Sequence, residues 1–146
     1  MHWKAVTLGA AALIAAGCSP PPEDASSAQT RQTIEAVFAA FNRHDAAAMA
    51  ALYAPDAMLT TSERCAPLRG RAAVERLHAD LFAAVPDIAD EVTDYFVDGE
   101  RGAIRFVSRS AIPGREFEMM IADFFVVRDG LVVTDNTVFN AERPCS

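Results

Sequence analysis

Asp123 and His78 are the two residues in this sequence whose types and surroundings point to chemistry. Asp123 lies in Phe117-Glu118-Met119-Met120-Ile121-Ala122-Asp123-Phe124-Phe125. Alternation predicts a strand there, and Arg105, Arg109 and Glu118 must face water. Their opposites therefore turn inward: Ile104, Phe106 and Ser108 on one strand, and Phe117, Met119, Ile121, Asp123 and Phe125 on the next. A carboxylate among Met and Phe costs on the order of several kcal/mol if charged and unpaired, so Asp123 is expected to be protonated or partnered. His78 shares a helical stripe with Val74, Leu81, Phe82 and Val85, which buries it and obliges it to hydrogen-bond. If the two meet, the carboxyl orients the imidazole as a general base near neutral pH. If not, Asp123 is a bonded polar residue of the pocket wall and His78 a core histidine satisfied by backbone. On the last strand the same parity turns Asp135, Thr137 and Phe139 inward, although Asp135 could equally lie at a rim. His44, beside Asp45 at a helix end, is expected to face solvent. No His, Cys or acid cluster has metal-ligand spacing, and neither a phosphate-cradling Gly-rich loop nor a Gly-x-Ser-x-Gly elbow occurs. What remains is cofactor-free acid/base chemistry.

These side chains need elements to hold them. Ile34, Val37, Phe38 and Phe41 recur at helical spacing, predicting a helix over 30–44. Asp45 can cap a second, Ala-rich helix that carries Met49, Leu52 and Tyr53 and is ended by Pro55. Residues 57–62 and 66–69 read as short extended pieces. Gly70 then opens a third helix, stopped near Val85 by Pro86-Asp87. From Glu91 the texture changes to strands at 91–97, 101–110, 115–127 and 131–140. Asp98-Gly99, Pro113-Gly114 and Asp129-Gly130 separate them, which predicts an antiparallel meander. Helices first and strands after indicate α+β.

The chain has 146 residues, 51% hydrophobic, with a formal net charge of −7. That is one domain's worth of chain. Acidity and singly scattered arginines argue against nucleic acid, which needs clustered positive charge. At the N-terminus, Lys4 precedes an apolar run from Ala5 to Ala16. As a helix such a run rises only about 18 Å against a hydrocarbon core of roughly 30 Å, so it reads as a cleaved signal and not a permanent span. Ala15-Ala16-Gly17-Cys18 resembles the lipobox of bacterial lipoproteins, which implies lipidation of Cys18. Ser19 after the cysteine implies the periplasmic face of the outer membrane. An ordinary secretory signal cut nearby is the alternative. Residues 1–17 are thus expected to be signal and 18–29, with Pro20-Pro21-Pro22, a tether before a domain over 30–146. Of three cysteines, Cys65 and Cys145 then remain as a pair in an oxidising compartment, either free or bridged. A bridge closing a loop of about 80 residues would stabilise by roughly 4 kcal/mol in the chain-entropy model.

Phe41-Asn42-Arg43-His44-Asp45, Leu52-Tyr53-Ala54-Pro55-Asp56-Ala57, Arg69-Gly70-Arg71, Asp123-Phe124-Phe125 and Asp129-Gly130, at these separations, resemble the SnoaL-like, nuclear transport factor 2-like superfamily. The resemblance implies a cone-shaped, cystatin-like α+β fold, with three N-terminal helices on a curved, mostly antiparallel sheet around an apolar pocket. In the superfamily's ketosteroid isomerases the carboxyl matching Asp123 stays neutral at neutral pH and donates to a developing oxyanion. Their base position falls at Thr61 and their first-helix phenol at Val37, so that steroid chemistry is not implied. His78 matches a pocket tyrosine and Phe139 a pocket aromatic. The expected ligand-facing set is Thr61, Phe106, Met119, Ile121, Asp135, Thr137 and Phe139. Two readings follow. In the first, an exported, lipid-anchored domain binds a small apolar or amphipathic molecule without turnover. In the second, Asp123 and His78 act on a carbonyl-bearing substrate as an isomerase, cyclase or dehydratase. The mostly apolar outward parity of the Asp123 strand, together with the superfamily's habit, implies a homodimer through the sheet.

Overall fold

A computed structural model of the chain describes residues 24–140. Cys18 and Cys145 lie outside them, as do the expected signal and the first half of the expected tether. Helix α1 spans Ala25–Asn42 and begins inside the segment expected to be tether. Its start is set by Asp24, whose carboxylate accepts the amides of Ser26 and Ser27 and the Ser27 hydroxyl. Ser27 in turn accepts the Gly99 amide at 2.8 Å. A polar, proline-led composition hides this cap, because the cap itself is made of the polar residues.

Asp45 caps α2 (Ala46–Ala51) through the Ala48 amide, and α3 spans Arg71–Ala84. Tyr53 is not on α2 but opens strand β1 (Tyr53–Thr61). Pro55 forbids helical geometry just before it, so the helix stops earlier than its apolar face suggests. Strands β2 (Leu68–Arg69), β3 (Ala89–Asp98), β4 (Arg101–Ser110), β5 (Phe117–Arg128) and β6 (Leu131–Val138) complete one sheet in the order β2-β1-β6-β5-β4-β3. The β3–β6 meander is antiparallel as its turn dipeptides require. The sheet as a whole is mixed, because β1 runs parallel to β6; a pairing between distant segments leaves no local turn signal.

Helices cover one face. Phe38 meets Phe106 edge-to-face at 4.9 Å and Phe41 meets Phe82 at 5.1 Å. Gly102 lets α1 approach β4, since a Cβ there would collide with Ile34. Gly70, at φ +83°, turns the chain into α3. Arg71 locks that entry by donating Nε and Nη2 to the Tyr53 carbonyl at 2.9 and 2.7 Å. His44 is not solvent-facing as expected: its Nε2 lies 2.7 Å from the Ile88 carbonyl and its ring stacks on Phe82. The opposite face of the sheet carries Phe96, Met120 and Phe124, exposed to 71%, 64% and 48%.

Candidate functional site

Between the helices and the concave sheet lies a cavity of about 310 Å³. This is at the small end of the range for small-molecule sites. Its closed end is lined by buried groups that include Phe38, Phe41, Leu59, Ile121 and Phe125. Half-buried Leu77, Leu81, Val85, Phe117 and Phe139 form its rim, with exposed Glu63 and Arg64 beyond. The interior is therefore a greasy cone closed at one end.

The polar atoms at the closed end form one cluster. Asp123 projects inward from β5, as strand parity requires, and is 6% exposed. Its neighbour is Asp135 on β6, two residues off the Asp123–Thr137 pairing. The Tyr53 hydroxyl, wholly buried on β1, donates to Asp135 Oδ2 at 2.5 Å. The Thr137 hydroxyl stands 3.4 Å from an oxygen of each carboxyl. Burial, and then the charge of Asp135 and the hydrogen bond shared with it, push the Asp123 carboxyl well above the usual carboxylate range. Two hydrogen-bonded carboxyls need a proton between them, so Asp123 is the neutral member and Asp135 the acceptor of its O–H. Burial, reinforced by the Asp135 charge, likewise raises the Tyr53 phenol well above its ordinary value and keeps it a donor.

His78 lines the same cavity, but no hydrogen bond joins it to Asp123. The expected contact is replaced by a bond within α3, His78 Nδ1 to the Val74 carbonyl at 2.8 Å. A carbonyl only accepts, so Nδ1 carries the proton and Nε2 of the neutral ring is left as an acceptor. Burial lowers the His78 pKa, opposed by the Val74 bond and by the Asp135 charge. The ring is thus held neutral, with a negative charge near enough to favour any imidazolium that forms.

Thr61, Phe106, Met119, Ile121, Asp135, Thr137 and Phe139 all line the cavity. Asp135 is at the closed end and not at the rim. Thr61 Oγ1 is buried with no partner. Two further lining residues, Tyr53 and Asp90, are absent from the expected set. Tyr53 continues the helical face of its neighbours in sequence, although Pro55 two residues on is a sign of extended backbone. Asp90 lies on β3, one residue ahead of the strand that alternation predicts from Glu91. Its side chain accepts a hydrogen bond from Ser108, and burial pushes its carboxyl up to about 6. Oδ1 of Asp90 is buried without a partner. The bulge between Val92 and Asp94 reverses strand parity, so counting back from the far end of β3 turns Asp90 outward. Among the described residues no group of His, Cys, Asp and Glu could hold a metal ion.

The family model of the SnoaL-like domain matches residues 34–134. The chain belongs to the SnoaL-like domain family. Solved structures agree. A loop-truncated variant of IdmH is 30% identical, with 74% of this chain and 90% of that one covered at a TM-score of 0.67. Wild-type IdmH, from Streptomyces antibioticus, is described as a candidate polyketide cyclase. A candidate ketosteroid isomerase of Kribbella flavida is 24% identical over 82% of this chain and 84% of that one, TM-score 0.68. A candidate SnoaL-like polyketide cyclase of Jannaschia is 14% identical over 81% and 90%, TM-score 0.72, a likeness of fold alone. No curated protein matches the sequence. The SnoaL-like fold accounts for the conical cavity, while the chemistry rests on the side chains lining it.

Proposed function

We propose that this SnoaL-like domain is an acid/base enzyme acting on a small, largely apolar carbonyl compound. The observation that carries this reading over simple ligand binding is the buried pair of carboxyls, Asp123 and Asp135, at the closed end of an apolar cavity that His78 also lines. One neutral donor and one neutral acceptor face the same space, and both titrate away from their ordinary values.

In this mechanism the substrate carbonyl oxygen takes the place of Asp135 as acceptor of the Asp123 O–H, Asp135 keeping the Tyr53 hydrogen bond, and His78 Nε2 removes a proton from the carbon beside the carbonyl. The enolate is stabilised by the Asp123 hydrogen bond and the imidazolium by the Asp135 charge. Tyr53 holds Asp135 in place. Return of the proton to a different carbon gives isomerisation; attack of the enolate carbon on a second carbonyl of the same molecule, whose oxygen takes the proton back from His78 as its π bond breaks, gives cyclisation. The identity with IdmH favours cyclisation. Incubating the protein with a panel of β-ketoesters in deuterated buffer tests the reading: mass spectrometry is expected to show deuterium entering the α-carbon. Retention of tight binding without exchange above background would return the domain to the binding-only reading.

The setting we propose is the cell envelope, with the domain lipid-anchored through Cys18, as the lipobox-like Ala15-Ala16-Gly17-Cys18 supports. Metabolic labelling with a fatty acid, lost in Cys18→Ala, checks this. Cys65 and Cys145 are proposed to form a disulfide, read by peptide mass spectrometry without reduction. The exposed Met120, Phe124 and Phe96 support a homodimer through the outer face of the sheet, and a monomer by light scattering at micromolar concentration would refute it.

A further inference from the structure

The cavity has a second polar pole, and it is far from the first. Asp90 pairs with Ser108 across β3 and β4, and Ser108 pairs with Met119 across β4 and β5. Asp123 lies four residues further along β5. Two strand spacings and four residues separate the poles by roughly 10 Å across the sheet and 13 Å along it, shortened to about 10–15 Å by the curvature. Between them the wall is Phe106, Met119 and Ile121, with no polar partner for a ligand. Asp90 is held rigidly: its backbone N–H and C=O both bond the Asn42 side chain at 2.8 Å. Asp90 is part of the cavity lining; one of its carboxyl oxygens is spoken for by Ser108, while Oδ1 is buried and unpartnered. A buried acceptor with no donor is costly unless something supplies one.

We propose that Asp90 is a recognition carboxylate that binds a hydroxyl or protonated amine at the far end of an elongated substrate whose carbonyl sits at Asp123. The substrate class is therefore a ketone or ketoester with a short apolar middle and a terminal hydrogen-bond donor. An anionic terminus is excluded, because it would face Asp90 without a cation. Asp90 does not touch the reacting atoms; it fixes register, so that the α-carbon reaches His78. This inference rests on the carbonyl reading of the closed end for the direction in which the ligand lies, but its test reads binding and not turnover.

The test uses three methyl ketones of about ten carbons, matched to the separation of the poles, ending in methyl, hydroxyl or amine. Their affinities are measured by calorimetry on the wild-type protein and on Asp90→Asn. The hydroxyl and amine forms are expected to bind about tenfold or more tighter than the methyl form, as for hydrogen bonds to a charged acceptor. In Asp90→Asn the amine form is expected to lose its advantage to within about twofold, while the affinity of the methyl form, the control for an intact pocket, is unchanged. Equal affinity of all three for wild type overturns the proposal, whether or not the variant folds. So does an amine preference that survives in Asp90→Asn. Failure of the carbonyl chemistry appears separately, as absent deuterium exchange with the terminal preference intact.

Discussion

The two faces of the sheet use carboxyl groups in opposite ways. On the outer face Arg109 bridges Glu91 and Glu118, Arg105 pairs with Asp94, and Arg128, at the end of β5, pairs with Glu100. These pairs are exposed and screened, and each charge has a partner. On the inner face Asp123, Asp135 and Asp90 sit in an apolar cavity whose arginine, Arg64, is exposed beyond the rim. Carboxyls paired with guanidinium have their partner already; those buried against one another, or left half-satisfied, can exchange protons or take a ligand. The difference lies in burial and partner, and it separates a scaffold face from a reactive one.

The sharpest way to break the contrast is at the closed end. Asp123→Leu keeps the volume but removes the donor, and it is expected to lower α-carbon exchange by about 100- to 1,000-fold, the usual cost of a lost oxyanion donor. His78→Gln should lower it by about 100-fold or more, as for a general base. Both are read by the deuterium assay, with circular dichroism confirming the fold. An Asp123→Leu protein of near wild-type activity would mean that this pair is architecture.

The second effect is on stability. Asp90 holds its proton to about pH 6 in the folded protein, against an ordinary value of 3.8. Between those values the folded state retains a proton that the unfolded chain has released, so the contribution of Asp90 to stability is greatest below about pH 4 and falls as pH rises to about 6. Relative to Asp90→Asn, wild type should lose on the order of 2–3 kcal/mol across that window and nothing further above it. Urea unfolding of both proteins from pH 4 to 7 measures this, and parallel curves would place the carboxyl in water.

Smaller still, Phe124→Asp on the outer face should leave exchange and fold intact while shifting the light-scattering mass from dimer to monomer. Smallest is Arg109→Ala, which removes two exposed ion pairs and is expected to leave the melting temperature nearly unchanged, because such pairs contribute little.

What can be read from the sequence follows the same division. The inward row Ile104, Phe106, Ser108 and the row through Asp123 to Phe125 follow from alternation alone, because strong outward charges fix the parity of uninterrupted strands. The meander follows from Asp98-Gly99, Pro113-Gly114 and Asp129-Gly130. Tyr53 escapes because its neighbours read as a helical face until Pro55 intervenes, and Asp90 escapes because the bulge at Thr93 reverses parity without any glycine to mark it. The Asp123–Asp135 pair depends on a diagonal contact between two strands, which neither strand announces alone. The helical stripe places His78 in the interior, yet its partner is its own helix, since a carbonyl one turn back is always within reach of a ring at that spacing.

The central claim is that Asp123 is neutral in the folded protein at neutral pH and shares its proton with Asp135. Carbon-13 NMR of protein labelled at the aspartate carboxyls tests it directly, with Asp123→Asn assigning the resonance. A signal that stays in the protonated range at pH 7 and vanishes in Asp123→Asn is the predicted result. An Asp123 carboxyl that is fully ionised at pH 7 would contradict the account.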